Sequence, residues 1–230
     1  MNPIVVIPAR MASTRLPGKL LAAWMVELAR QAEAGPVLVA AAEEEVAEAA
    51  LKAGANVAMT DPALPSGSDR VHAALEAFDP QGRFDVAVNL QGDMPTMDAA
   101  DLARAVAVLA RGADIATLVS PSGDPADRDN PNVVKAIRAA DGRCLAFTRA
   151  PAPWGEGPIE RHVGIYVYRR EALARFMAAP PSPLELREKL EQLRALEMGM
   201  SIYADAVEVF PKGVDSPADL EAARAILSAR

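Results

Sequence analysis

Ile4, Val5, Val6 and Ile7 follow one another with no polar residue between them. An unbroken apolar run of this kind predicts a strand covered on both faces, as in the middle of a parallel sheet. Pro8 has no N–H to give to a ladder and is expected to end it. Residues 20–34 are rich in Ala, Leu, Glu and Arg and predict a helix that Gly35-Pro36 stops. The alternation then repeats, with a buried strand over 37–40, a helix over 43–53 closed by Gly54, and a strand over 55–59. A loop over 60–68 leads into a helix over 69–78 with Ser68 as its cap, then a strand over 85–90 and a helix over 98–111. Strands and helices alternating at this spacing predict βαβ units and a mostly parallel, Rossmann-like α/β sheet flanked by helices.

Beyond Gly112 the rhythm changes. Residues 115–119, 133–138, 144–148 and 162–169 are strand-like, with Asp129-Asn130-Pro131 and Asp141-Gly142 as turns between them. Residues 170–177 and 183–198 predict helices, the second the stronger of the two. A late strand over 201–209 precedes a helix over 217–228, capped by Ser216 with Pro217 in its first position. No repeat, low-complexity tract or flexible linker interrupts the chain. The expectation is one domain over 1–230 carrying a small mixed-sheet lobe around 115–200.

Composition narrows the function classes. The apolar content of 51% suffices for a core in 230 residues, although only 4% is aromatic. A net charge of −7 and a pI near 5.0 argue against nucleic-acid or anionic-membrane partners. Cys144 is the one cysteine, which rules out an intrachain disulfide and fits a reducing compartment. No apolar run approaches the roughly 18 residues that span a bilayer, and no signal-peptide pattern opens the chain, so a cytoplasmic location is expected.

Against this acidic background the residues after the first strand stand out: Arg10, Ser13, Thr14, Arg15, Gly18 and Lys19. Loops at the carboxyl ends of strands form the ligand crevice of an open α/β sheet. A nucleoside triphosphate suits such a loop, with arginine as a planar fork and lysine as a point charge. A solvated basic loop would have the same composition. Neither a G-x-G-x-x-G fingerprint nor a P-loop is present, which argues against a nicotinamide oxidoreductase.

Asp93 follows a buried strand in Gln91-Gly92-Asp93, where Gly92 permits close backbone approach to a ligand. Asp215 lies in Val214-Asp215-Ser216-Pro217. Turn formation accounts for either aspartate alone. Together they suit Mg²⁺, which takes one or two carboxylates along with substrate phosphates; the sequence alone does not pair them. His162 and Arg149 read equally as structural or surface residues. Glu185 and Glu188 read as partners of Lys189 and Arg194 on a solvated helix face.

The segment R-x-x-S-T-R-x-P-x-K after the first strand resembles the signature of the CTP-dependent 3-deoxy-manno-octulosonate (Kdo) cytidylyltransferase family, or CMP-Kdo synthetases. Further resemblances follow in the same order: Ser66-Gly67-Ser68-Asp69-Arg70, Gln91-Gly92-Asp93, Asn132 to Lys135, Phe147-Thr148-Arg149, Arg161 to Tyr166, Glu191-Gln192 and Val214 to Pro217. The resemblance implies transfer of CMP from CTP to Kdo, releasing pyrophosphate, with Mg²⁺ as cofactor and lipopolysaccharide biosynthesis as the purpose. It implies Arg10, Lys19 and Asp93 as the catalytic groups. Arg10, Ser13, Arg15, Lys19, Ser66 and Arg70 would bind the nucleotide. Gln91, Arg149, His162, Glu191 and Gln192 would line the sugar-acid pocket, and Asp93 with Asp215 would hold the metal. A homodimer is implied as well.

The chain also departs from the family pattern. The segment between Lys19 and the first helix is shorter by roughly ten residues. Ala41-Ala42 replaces Thr-Asp, Leu64 replaces a histidine and Met94 replaces a glutamate. These departures leave room for a Kdo analogue or an acylneuraminate as substrate, or for a nucleotide-binding protein without catalysis.

Overall fold

The computed structural model describes residues 1–10, 18–214 and 216–228. The described chain forms two compact units, Met1–Ala103 with Pro211–Arg230, and Arg104–Phe210.

In the first unit, β1 (Pro3–Ala9), β2 (Val37–Ala41), β3 (Asn56–Met59) and β4 (Val86–Leu90) lie in the order β3-β2-β1-β4, and every pairing is parallel. Every residue of β2 and β4 is buried, as are Ile4–Ile7 of β1. Helices α1 (Gly18–Gln31), α2 (Glu44–Lys52) and α3 (Gly67–Phe78) pack on these strands. Gly35, at φ +132°, turns the chain from α1 into β2. A Cβ there would stand 2.2 Å from the Pro3 carbonyl oxygen, so only glycine lets the turn pass this close to β1.

Pro8 does not end β1. It pairs with Ala40, and Ala9 with Ala41, whereas the pairing to β4 stops at Val6–Asn89. Parity explains the difference. The Val5 amide donates to the Pro36 carbonyl on the β2 side, so residues 5, 7 and 9 face β2. The donor that proline lacks therefore falls on the β4 side, beyond the last pair, where nothing needs it.

α4 (Ala99–Leu109) carries the chain into the second unit. There β5 (Ile115–Ser122) lies between β8 (Ile159–Arg169), antiparallel, and β9 (Ile202–Ala206), parallel. β6 (Lys135–Arg138) pairs antiparallel with both β7 (Cys144–Thr148) and β8. The short helix α5 (Pro125–Asp129), which hydrophobic patterning misses, follows β5, and α6 (Arg170–Ala178) follows β8.

The helix expected over 183–198 is two helices, α7 (Pro183–Glu188) and α8 (Gln192–Glu197). Lys189 caps α7 in the left-handed conformation at φ 57°. The break frees main-chain carbonyls, and Arg149 takes them: its Nε donates to Glu188 O at 2.8 Å and its Nη2 to Lys189 O at 3.4 Å. Periodicity continues through Lys189, so only this tertiary contact marks the break.

The C-terminal helix α9 (Pro217–Ser228) returns to the first unit, with Ser216 capping it through the Asp219 amide. Leu220, Ala223 and Val214 form a cluster with Leu21 and Trp24 of α1. Burying each of the larger side chains contributes about 1.5–3 kcal/mol, against roughly 1 kcal/mol for one backbone hydrogen bond. Packing therefore sets the place of the returning segment. Among the described residues, no helix is long and apolar enough to cross a membrane.

Candidate active site

In the first unit the site residues gather at the carboxyl ends of the strands. Arg10 is exposed directly after β1, and Lys19 is the second residue of α1. Ser13, Arg15 and Asp215 lie outside the described residues, as does the side chain of Lys19.

Ser66, not Ser68, caps α3. Its hydroxyl accepts from the Asp69 amide at 3.2 Å and donates to Asp69 Oδ2 at 2.7 Å. Ser68 lies inside the first turn, buried, where its Oγ accepts from Asn89 Nδ2 at 3.4 Å. Asn89 in turn accepts from Gln91 Nε2 at 3.1 Å. A polar line from α3 through β4 thus holds the Gln91 amide, with its Nε2 turned to Asn89. Asn89 is fully buried and is the one polar residue in Val86–Leu90, a signal in the sequence that its apolar frame concealed.

Arg70 is 2% exposed, and its guanidinium serves the loop before α3. Nη1 donates to Thr60 Oγ1 at 2.5 Å and to Asp61 O at 3.2 Å, while Nη2 reaches Pro62 O at 3.5 Å. Burial lowers its pKa, and the charge of Arg10 lowers it further, with Glu43 and Asp61 opposing. Arg10 and Arg70 therefore lie close enough for the charge of one to act on the other. Arg70 shapes the segment over 60–62 that leads to α3.

Gly92 lies where a Cβ would meet the Pro8 carbonyl oxygen at 3.0 Å. The close approach that this glycine permits is to the protein's own β1. It sets the course of the loop into Asp93, whose side chain is exposed and whose carbonyl accepts from the Val214 amide at 2.8 Å. The residue preceding Asp215 is thereby fixed to Asp93. Among the described residues, no group of three or more His, Cys, Asp or Glu is placed to hold a metal alone.

Of the residues expected to face the sugar acid, Gln91 lies in the first unit and the others in the second. His162 on β8 is 9% exposed, with its ring edge-on to Phe147 at 5.0 Å and tilted against Tyr166 at 5.3 Å. Its Nε2 lies 3.0 Å from Thr117 Oγ1. Burial lowers its pKa from 6.5 to about 4, so the ring is neutral at pH 7. Tyr166 is kept protonated first by burial and then by neighbours that include Glu191. Gln192 is buried at the start of α8. Glu191 sits 3.6 Å from Arg194, whose guanidinium also pairs with Glu185 at 3.1 Å and covers the Phe176 ring at 4.1 Å.

Arg149 closes α7 as described and also donates to Pro131 O at 2.9 Å. Lys135, fully buried, donates to the carbonyls of Asn130, Val133 and Arg149. Glu188 is no solvated charge: it accepts from Thr148 Oγ1 at 3.0 Å and from the Arg149 amide at 2.9 Å. Glu185 completes a capping box with Ser182. Cys144 is buried with its thiol pKa pushed up to about 12, which makes it inert.

The cytidylyltransferase family profile matches residues 4–202. Over all of this chain and 94% of its own length, a protein of Parvibaculum lavamentivorans is 56% identical; it is named 3-deoxy-manno-octulosonate cytidylyltransferase. A protein of Rhodospirillum centenum with the same name is 54% identical, over all of this chain and 95% of its own. The first alignment runs over 242 positions against 230 residues here, so that relative carries internal residues without a counterpart in this chain. Among solved structures, CMP:2-keto-3-deoxy-manno-octonic acid synthetase complexed with CTP matches with a TM-score of 0.92. It is 31% identical and covers 100% of this chain and 99% of that one.

Proposed function

This chain belongs to the 3-deoxy-manno-octulosonate cytidylyltransferase family, and from that premise we propose that it makes CMP-Kdo and pyrophosphate from CTP and Kdo. The observation that carries the site is the hydrogen bond from Val214 to Asp93, which joins the two segments bearing the aspartates. In the transfer, the sugar's anomeric oxygen bonds to the α-phosphorus as the bond from that phosphorus to the α,β-bridging oxygen breaks. The hydroxyl proton leaves to solvent, and pyrophosphate departs.

Arg10, Ser13, Arg15 and Lys19 hold the triphosphate. Arg70 and Ser66 act on the nucleotide by fixing the loop and helix start around it. Asp93 and Asp215 would hold Mg²⁺, which when bound supplies charge neutralisation on the phosphates. Gln91, Arg149, His162, Glu191 and Gln192 orient the sugar acid. Most of the rate enhancement comes from positioning and charge. Exposed Leu145, Trp154, Leu184 and Leu186 offer apolar surface that a second copy would cover, which supports a homodimer. CTP as substrate supports a cytoplasmic location.

The test is pyrophosphate release from CTP and Mg²⁺, with and without Kdo, for the wild type and Asp93→Ala. Kdo-dependent release that the substitution abolishes supports the reading. CTP binding with no release for any sugar acid would overturn it.

A further inference from the structure

Thr117 is fully buried on β5, at the irregularity where the register to β8 shifts between Ala116 and Leu118. Its Oγ1 stands 2.7 Å from the Ile165 carbonyl oxygen, 3.2 Å from the Val163 carbonyl oxygen and 3.0 Å from His162 Nε2. A hydroxyl has one proton and two lone pairs. Two oxygens at 2.7 Å need that proton between them, and a carbonyl has none of its own to give. The Thr117 proton is therefore committed to the β8 main chain, and toward His162 the hydroxyl is left as an acceptor.

We infer that Thr117 is a positioning residue that fixes His162 as the Nε2–H tautomer and leaves Nδ1 as a bare acceptor for a substrate hydroxyl. The irregularity in the β5–β8 ladder falls at Thr117, where the hydroxyl meets two carbonyls of the neighbouring strand. Phe147 and Tyr166 hold the ring from its sides, so the tautomer and not the ring plane is what Thr117 decides. No described residue offers a donor to Nδ1.

A ring locked in this state discriminates. It accepts from an alcohol and repels a carboxylate, because lone pair would face lone pair. The negative end of a sugar acid must then be met elsewhere, and His162 reads a hydroxyl. Burial works in the same direction by keeping the second proton off the ring at neutral pH.

This role rests on the proposed reaction, but the tautomer does not, and the two are tested separately. The chain has two histidines, His72 and His162. In a His72→Gln background with ring-labelled histidine, nitrogen NMR reads the His162 tautomer without any substrate. The expected result is Nε2–H for the wild type and for Thr117→Ser, which keeps the hydroxyl, and loss of that single state in Thr117→Val. The KM for the sugar acid should rise on the order of tenfold in Thr117→Val, with the KM for CTP unchanged and recovery in Thr117→Ser. A wild-type ring protonated on Nδ1, or a Thr117→Val ring that still shows Nε2–H, overturns the proposal. A changed tautomer with an unchanged sugar KM overturns the hydroxyl-reading role. Absence of cytidylyl transfer would overturn the proposed reaction and leave the tautomer measurement standing.

Discussion

The Val214 amide donates to the Asp93 carbonyl at 2.8 Å, although 121 residues separate the two. Burial of Val214 with Leu220 against α1 places the amide, so the bond follows from packing at the far end of the chain. Asp93→Asn keeps this main-chain bond and removes one negative charge. Pyrophosphate release should fall a hundredfold or more, on the order seen when one preorganised charge-stabilising group is lost. A Mg²⁺ titration should shift to higher concentration with no change in thermal stability. Unchanged Mg²⁺ dependence would remove Asp93 from the metal site.

Gly92→Ala tests position without touching a charge. The new Cβ would meet the Pro8 oxygen at 3.0 Å, so the loop must move by a few tenths of an ångström and carry Asp93 with it. Small displacements of this kind cost catalysis more than stability. Expected is a drop on the order of tenfold in kcat/KM for a protein that melts close to wild type. Full activity would show that the loop relaxes freely.

Arg70→Lys keeps the charge and loses the fork. One ammonium cannot reproduce the spread of contacts to Thr60, Asp61 and Pro62. The KM for CTP should rise several-fold, with a smaller change in kcat and a stability loss of about 1–3 kcal/mol. A rise in the sugar KM alone would contradict the placement of Arg70 with the nucleotide.

His162 makes stability depend on pH. Folded, it titrates near 4; unfolded, near 6.5, because burial excludes the imidazolium. Above 6.5 both states are neutral and the contribution is complete. As pH falls from 6.5 toward 4, the unfolded chain takes a proton that the folded chain refuses, and stability drains away. The loss approaches an order of 3 kcal/mol. Urea unfolding at about pH 7.5 and about pH 4.5 measures it, and His162→Gln should lack this component.

Element types in the parallel half were legible because runs such as Ile4–Ile7 and Val37–Ala40 need no tertiary information to read as buried strands. Of the candidate site, Arg10 drew attention as a cation in an acidic chain and Asp93 by its place directly after a buried strand. What stayed hidden was the use of side chains by the fold itself. Nothing local distinguishes Glu188 on a solvated face from Glu188 accepting from Thr148, since the two residues lie 40 apart. Lys189 offers no glycine to announce a left-handed cap. Thr117 reads as an ordinary strand threonine until the β5–β8 irregularity brings it to His162.

Pro8 has a consequence for the mouth of the site. β1 and β4 run together as far as Val6 and Asn89 and then part, with Gly92 crossing the Pro8 carbonyl. Most strand pairs can extend by a residue or two when thermal motion or a neighbouring substitution favours it. Here the next amide that would have to donate does not exist, so the seam cannot zip further. The end of this ladder is set by a missing hydrogen atom.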